Sequence, residues 1–210
     1  MFCKKETKRV IEGLWNYLDT GTNVDAGCQV KNPVSSYTCD KMARQEWGSF
    51  FQDYSHALGL SSELPEAGSF LTNSDLGKPI LMTRDEQGRF RAFLNVCRHR
   101  GAILEEKERG RRRLFSCPFH GWGYSSSGGL ISVPKEDQFG EIDKSCNGLV
   151  ELPAEEKHGI LWVHPDPKGS FDLEEQLGDL AAEFDSWGFE NYIFQGNTTF
   201  EHQMNWKLAI

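Results

Sequence analysis

The chain has 210 residues, of which 38% are hydrophobic and 12% aromatic, enough for one good core and room for an incomplete second one. A formal net charge of -8, with a single dense basic run at 107–113, argues against broad binding to nucleic acid. No segment approaches the roughly 20 apolar residues of a membrane span and no signal peptide is recognisable, so we expect a cytoplasmic protein without a membrane partner.

Two helices are predicted near the start of the chain. Between residues 5 and 18 the apolar side chains recur at the i, i+3, i+4 spacing of one helix face. A polar stretch without periodicity follows, and helical spacing returns over 40–51. We assign residues 1–40 to an N-terminal helix and linker.

Antiparallel β structure is predicted from Phe70 onwards. Two short β-prone runs, 79–83 and 90–94, flank a hairpin turn at 85–88. Further short runs extend the pattern to about residue 164: 113–116, 148–151 and 159–164. The sequence therefore predicts a mainly β fold, in which residues 41–166 form one small antiparallel β domain.

The pattern changes again after the Pro- and Gly-containing linker at 165–169. Asp172 is a candidate N-cap, and the apolar residues that follow line one face of a helix that reaches Phe184. Residues 192–202 have the character of a strand, and the sequence stops at Ile210 without a turn or polar tail. We expect residues 167–210 to be the truncated beginning of a further domain.

Two of the six cysteines are placed as metal ligands. Cys97-Arg98-His99 and Cys117-Pro118-Phe119-His120 are C-x-H and C-x-x-H pairs, and a hairpin turning near Gly110 is expected to bring their loops together. Two thiolates and two imidazoles suit either a structural tetrahedral zinc or a 2Fe-2S centre with histidines on one iron. The remaining cysteines have no ligand-like neighbours and are interpreted as inert or exposed thiols: Cys3, Cys28, Cys39 and Cys146.

The residues around these pairs favour the iron-sulfur centre over zinc. Gly101 and Gly121 permit close approach of the backbone, so that amides can donate hydrogen bonds to bridging sulfides. A third loop over the cluster is expected at 128–134. Apolar cover that controls solvent access is expected from three aromatic residues: Phe119, Trp122 and Tyr124.

The motifs CRHRG at 97–101 and CPFHGWGY at 117–124 resemble the signature of Rieske non-haem iron oxygenases, and more closely the large (alpha) subunit of aromatic-ring-hydroxylating oxygenases. The similarity spans roughly residues 40–210. It implies that Cys97 and Cys117 hold the inner iron of a 2Fe-2S cluster, and that His99 and His120 hold the outer iron, which accepts the electron. Neutral imidazole ligands ease reduction, which places such centres at roughly -150 to +300 mV rather than near -400 mV.

The resemblance also implies a catalytic domain of α+β type beyond Asn205-Trp206-Lys207, with a mononuclear Fe(II) held by two histidines and a carboxylate. The sequence ends three residues after Lys207, so we expect that iron site to be missing and this chain alone to be catalytically incompetent. The full-length enzyme is expected to be a monooxygenase or dioxygenase that hydroxylates a small organic, aromatic substrate. Its expected partners are a reductase or ferredoxin as electron donor and further copies of itself in a homotrimer.

Other residues carry weaker hypotheses. The basic run 107–113 is interpreted as a solvated hairpin tip rather than a docking site for an acidic donor, and Arg98 and Arg100 are equally good candidates for docking. A stand-alone Rieske ferredoxin-type electron carrier is the alternative function, although such a carrier would not need the segments before residue 40 and after residue 170. No second metal site is predicted from the other histidines: His56, His158, His164 and His202.

Overall fold

The computed structural model describes residues 4–25 and 27–209, so Cys3 lies outside the described residues. Three antiparallel sheets are flanked by helices on either side in the chain, which confirms the mainly β fold. The helices are α1 (Lys4–Thr20), α2 (Ser35–Thr38), α3 (Asp40–Glu46), α4 (Leu173–Leu177) and α5 (Leu180–Trp187). The strands are β1 (His56–Leu60), β2 (Ser69–Asn73), β3 (Ile80–Arg84), β4 (Phe90–Leu94), β5 (Arg109–Arg111), β6 (Phe115–Ser116), β7 (Gly123–Tyr124), β8 (Leu130–Ser132), β9 (Glu151–Leu152), β10 (Ala154–Lys157) and β11 (Ile160–Val163).

Both predicted N-terminal helices are present. None of the side chains of α1 is buried, and its apolar face is largely exposed to solvent. The second predicted helix is α3 followed by a π-helical turn, Trp47–Gln52, in which Trp47 and Phe51 stack with ring centroids 5.0 Å apart. Among the described residues, no helix combines the length and the apolar character needed to cross a bilayer.

The predicted hairpin is confirmed as β3 and β4, which pair in antiparallel register. Its turn is organised by Asp85, whose side chain is fully buried. The Asp85 carboxylate accepts hydrogen bonds from the backbone N–H of Gln87 at 2.9 Å, the backbone N–H of Arg89 at 2.8 Å and Arg89 Nε at 2.9 Å. Gly88 adopts a φ of 75°, a conformation that glycine reaches without strain.

The predicted turn near Gly110 is wrong. Gly110 lies in β5, which pairs with β2 at the edge of a five-stranded sheet ordered β5-β2-β3-β4-β9. A Cβ at Gly110 would lie 3.0 Å from the Phe70 ring, so the glycine serves close packing between strands instead of a turn. The middle of the basic run, 109–111, is therefore an exposed edge strand and not the tip of a hairpin. Three arginines of the basic run form ion pairs: Arg109 with Glu63 at 3.1 Å, Arg111 with Glu66 at 2.9 Å and Arg112 with Glu105 at 2.8 Å.

Two smaller sheets complete the β structure. One has the order β6-β7-β8, and the other the order β1-β11-β10. The short runs predicted at 113–116, 148–151 and 159–164 correspond to β6, β9 and β11, each shorter than the run that predicted it. A buried cluster that includes Phe93 and Phe115 joins the five-stranded sheet to the β6-β7-β8 sheet.

The segment after the β structure departs from prediction in two places. Asp172 caps α4 as predicted, with its carboxylate accepting from the Glu175 N–H at 3.1 Å. The single helix predicted through Phe184 is divided into α4 and α5, because Gly178 between them adopts a φ of 54° outside the helical region. The strand predicted at 192–202 is wrong: the described residues there are not in a strand, and they lie exposed.

Residues near the end of the described chain pack on its first half. Asn205 Nδ2 donates to the Tyr37 carbonyl at 3.1 Å, and Trp206 Nε1 donates to Glu46 Oε2 at 3.1 Å. Lys207 Nζ donates to Glu46 Oε1 at 2.6 Å. Although burial opposes the shift, the hydrogen bond from Lys207 is the largest cause of a lowered pKa at Glu46. These contacts join residues 205–207 to α2 and α3.

Candidate metal centre

Two loops of the same form carry the four predicted ligands. The first follows β4 and holds Cys97 and His99, and the second connects β6 to β7 and holds Cys117 and His120. In each loop the cysteine is tied to the chain beyond the histidine by two backbone hydrogen bonds, one accepted by its carbonyl and one donated by its N–H. The bonds are Gly101 N–H to Cys97 O and Gly121 N–H to Cys117 O, both 2.9 Å, and Cys97 N–H to Ala102 O and Cys117 N–H to Trp122 O, both 2.8 Å.

Glycine is required in each loop just after the histidine. Gly101 and Gly121 have φ angles of 73° and 74°, a region that residues with a Cβ rarely adopt. At Gly121 a Cβ would also lie 2.9 Å from Pro134 Cγ. The motif glycines therefore shape the two ligand loops, and this explains why they recur at equivalent positions.

The four side chains form a thiol pair and an imidazole pair. Cys97 and Cys117 are both buried in the same cluster of core residues and are not joined by a disulfide. The rings of His99 and His120 have centroids 4.7 Å apart, and His120 Nδ1 is buried without a hydrogen-bond partner in the described chain. Two cysteines on one iron and two histidines on the other are the protein ligands of a Rieske cluster. The donor set and the orphaned nitrogen fit that group.

Protonation of the ligands follows from their surroundings. Burial raises the pKa of the Cys97 thiol, so a metal must displace its proton to obtain the thiolate. Burial lowers the pKa of His99, and its proximity to the His120 ring and the Arg100 guanidinium lowers it further. His99 is therefore held as neutral imidazole, the form that binds metal. Among the residues described, no three or more His, Cys, Asp and Glu side chains are grouped to suit a single metal ion.

Tyr124 has a polar role that the sequence analysis missed. Its hydroxyl accepts a hydrogen bond from the Arg98 N–H at 3.0 Å and lies 3.4 Å from Cys97 Sγ. Burial raises the pKa of Tyr124, and the contact with Cys97 raises it further, so the phenol remains protonated. Because the Arg98 N–H occupies an oxygen lone pair, the phenolic proton is available to the Cys97 sulfur. Tyr124 was predicted only as apolar cover.

Aromatic side chains cover the imidazole pair. Trp122 stacks on His99, with ring centroids 5.0 Å apart and an angle of 8° between the planes. The ring centroids of Phe119 and His120 are 3.9 Å apart. In the segment 128–134, predicted as a third loop over the cluster, Gly128 packs on Phe93 in the β7–β8 turn and Pro134 lies against Gly121 of the second ligand loop. Leu130 and Val133 belong to the same buried cluster as Cys97 and Cys117. Phe139, which the sequence analysis did not identify, reaches His99 from further along the chain.

The other predicted groups lie elsewhere. His158 Nδ1 is 2.5 Å from Asp185 Oδ1, and His164 Nδ1 accepts a hydrogen bond from a backbone N–H at 3.1 Å. His56 is half-buried beside Phe51, and His202 is exposed. The remaining described cysteines are exposed, as predicted: Cys28, Cys39 and Cys146.

Comparison with known protein families identifies this part of the chain. Residues 55–153 match the Rieske [2Fe-2S] domain family. The chain carries a Rieske domain. Both ligand loops of this Rieske domain lie inside the matched residues, as do the β strands that position them.

The chain is similar to the large subunits of several oxygenases and to solved Rieske oxygenases. It is 34% identical to the anthranilate 1,2-dioxygenase large subunit of Acinetobacter baylyi over 153 residues, which are 70% of this chain and 32% of that protein. A naphthalene 1,2-dioxygenase from Rhodococcus sp. solved with indole has 32% identity and a TM-score of 0.67, over 73% of this chain and 35% of that one. A quaternary ammonium Rieske monooxygenase has 27% identity and a TM-score of 0.67, over 74% and 43%.

The predicted family is therefore confirmed: the chain is homologous to the large subunits of aromatic-ring-hydroxylating dioxygenases. It spans about a third of the length of the curated relatives that it matches.

Proposed function

We propose that Cys97, His99, Cys117 and His120 hold a Rieske 2Fe-2S cluster and that the chain relays electrons within an oxygenase large subunit. The observation that carries this proposal is the arrangement of two buried thiols and two neighbouring imidazoles on two loops with the same hydrogen bonds. When bound, the cluster supplies one-electron transfer at a potential suited to a ferredoxin or reductase donor.

The residues on the cysteine side and on the histidine side of the site have different roles. Cys97 and Cys117, which lie in the packed core, would hold one iron of the cluster, and His99 and His120, which are less buried, would hold the other. Tyr124 supports the thiolate side by donating its hydroxyl proton to Cys97 Sγ. The protein thereby holds the charged ligands rigidly and presents the neutral ligands to its partners.

In the whole protein, we propose that electrons pass on to a mononuclear non-haem Fe(II) that hydroxylates a small organic, aromatic substrate with dioxygen. The dioxygenase relatives support this proposal, and so does their length, because the residues that match this chain are about a third of each relative. In this division, residues 1–40 are the N-terminal helix and linker, 41–166 the Rieske domain, and 167–210 the beginning of the catalytic domain. The family resemblance alone favours a homotrimer for the full-length enzyme.

We propose that the electron donor docks at the first ligand loop. Arg98 and Arg100 lie on either side of His99, are exposed, and form no ion pair within the described chain. The arginines of the basic run at 107–113 are largely neutralised by acidic neighbours, which reduces their value for steering. An acidic ferredoxin or reductase would therefore be attracted to the loop that carries His99.

The docking proposal is tested by the rate of reduction by a ferredoxin at low and high salt. We expect Arg98→Gln and Arg100→Gln together to slow reduction about tenfold at low salt and much less at high salt. Arg44→Gln, an exposed charge on α3, is the matched control and is expected to have no effect. Equal slowing of reduction in the double arginine variant and in Arg44→Gln would contradict docking at this loop.

The cluster proposal is tested by anaerobic purification with iron and acid-labile sulfide analysis and by EPR of the reduced protein. We expect equal amounts of iron and sulfide and a Rieske signal, with both lost in Cys97→Ser and His120→Ala and retained in the exposed-cysteine control Cys28→Ser. A colourless protein with stoichiometric zinc would refute the cluster. Substrate oxidation by the isolated chain would contradict a mononuclear iron held outside these residues.

A further inference from the structure

The segment after β8 returns over the His99 side of the site. Phe139 lies edge-on to His99, with centroids 5.4 Å apart and an interplanar angle of 84°. It is also edge-on to Trp122, at 5.9 Å and 76°. The His99 ring therefore contacts aromatic side chains from two separate segments of the chain, one of which follows the ligand loops by many residues.

The contact depends on an unfavourable backbone conformation. Lys135 has a φ of 55°, in the left-handed region that non-glycine residues seldom occupy and that persists only where the surrounding structure enforces it. A 3-10 turn follows, Glu136–Gln138, and the Phe139 N–H donates to the Glu136 carbonyl at 3.0 Å. Lys144 Nζ lies 2.8 Å from Glu136 Oε2 and closes the segment. The chain is thus held in the shape that brings Phe139 to His99.

Burial of its own surface does not account for the position of Phe139, which remains 40% exposed. The two histidines also differ in their cover. His120 is covered by its immediate neighbour Phe119, which is 60% exposed, whereas His99 receives a ring from a distant segment. The difference points to a function at His99.

We propose that residues 133–146 form a lid on the Rieske site and that Phe139, by excluding water from the His99 edge, lowers the reduction potential. The inference rests on the proposed cluster. Two thiolates and two neutral imidazoles leave an oxidised 2Fe-2S core without net charge, and the added electron leaves a single negative charge. Water stabilises a charged state more than a neutral one, so exclusion of water disfavours reduction.

The test is an EPR-monitored redox titration of the purified, cluster-loaded chain. We expect Phe139→Ala to raise the ratio of reduced to oxidised protein at a fixed potential between threefold and tenfold, where tenfold corresponds to about 59 mV. Deuterium modulation of the reduced signal in D2O should increase as water reaches His99. Phe139→Leu should shift the potential less, because it retains apolar cover. Ile131→Ala, an exposed apolar change on neighbouring β8, is the control and should leave the potential unchanged.

A second variant tests the lid without altering the ring. Glu136→Gln and Lys144→Met together remove the ion pair that closes the segment without changing the net charge, and they should raise the potential in the same direction as Phe139→Ala, but less. If Phe139→Ala loses the EPR signal, the test rests on Phe139→Leu and on the double variant at Glu136 and Lys144. Unchanged potentials in both of these variants would overturn the lid. An unchanged potential in Phe139→Ala with its signal intact also overturns it. A missing signal in the unaltered chain refutes the cluster itself.

Discussion

The Rieske domain and the helices on either side of it bury their apolar side chains to very different extents. Phe93 and Phe115 of the Rieske domain are almost fully buried, whereas Leu14, Trp15 and Leu18 of α1 are between 56% and 72% exposed. In the described parts of the flanking helices, the buried apolar residues are Leu173 and Ala181. Since stability follows buried apolar area, the sheets and the two ligand loops form the stable part of the molecule, and the helices contribute little to it.

The comparison is tested most severely by Phe93→Ala. Phe93 fills the core between β4 and the β7–β8 turn, where a Cβ on Gly128 would lie 2.4 Å from its ring, so truncation leaves a cavity. We expect a loss of about 3–5 kcal/mol in the free energy of unfolding, measured by urea denaturation. Phe200→Ala, at a position 78% exposed, is the matched control and should change it by less than about 0.5 kcal/mol. Similar losses in the two variants would remove the contrast between the regions.

The β3–β4 turn provides the next test. Asp85→Ala removes a fully buried carboxylate that accepts hydrogen bonds from two backbone N–H groups and the Arg89 guanidinium. We expect a loss of about 2–4 kcal/mol by urea denaturation. Asp75→Ala, at an exposed position near β2, is the control, and a comparable loss there would show that the turn is not special.

The same carboxylate predicts a dependence on pH. Burial raises the pKa of Asp85, but the hydrogen bonds from Arg89 and Gln87 outweigh it and lower the pKa overall. A lowered folded-state pKa stabilises the protein above the pKa of an unfolded aspartate, about 3.9, and this contribution is lost as the pH falls through the folded-state value. The stability difference between the unaltered chain and Asp85→Asn should therefore be constant near neutrality and shrink below about pH 4. A difference that grows on acidification would contradict the assignment.

A smaller effect is expected within the ligand site. Tyr124→Phe removes the hydroxyl that faces Cys97 Sγ and, with it, a hydrogen bond that favours the more negative reduced state. We expect the reduction potential to fall by about 40 mV, the equivalent of about 1 kcal/mol for one electron. The sign is opposite to that expected for Phe139→Ala, so the two variants control for each other in one redox titration. A rise would mean that loss of packing dominates.

The smallest effect is expected in α1. Leu14→Ala removes an apolar side chain that contacts no core, so the free energy of unfolding should change by less than about 0.5 kcal/mol. This change in the free energy of unfolding is measured by urea denaturation at two protein concentrations. A loss of 2–5 kcal/mol, the cost typical of a buried leucine, would show that the apolar face of α1 has a partner in solution.

The sequence was sufficient where the structure depends on close neighbours. The ligand motifs, the turn at Asp85 and the N-cap at Asp172 were all predictable, because each depends on residues only a few positions apart. The same reason explains why the family was recognisable from Cys97 to Tyr124 alone.

Long-range contacts were not predictable. Gly110 was assigned to a turn because glycine is common in turns, whereas its role is to lie against Phe70, on a strand far earlier in the chain. The position of Phe139 in the sequence gave no indication that it contacts His99, because that contact depends on how the chain between them folds. Residues 192–202 are β-prone but have no strand partner in the described chain, and Phe194 packs instead on the Arg109 guanidinium, 3.6 Å from its ring centroid.

The contacts that Glu46 makes have a consequence for synthesis of the protein. Trp206 and Lys207 follow Glu46 by 160 and 161 positions, whereas every strand of the Rieske domain precedes residue 164. Because a chain leaves the ribosome from its N-terminus, the sheets can form while α2 and α3 still wait for the residues that cover them. Helices α2 and α3 are thus synthesised before the sheets, but their contacts are completed only after the sheets have formed.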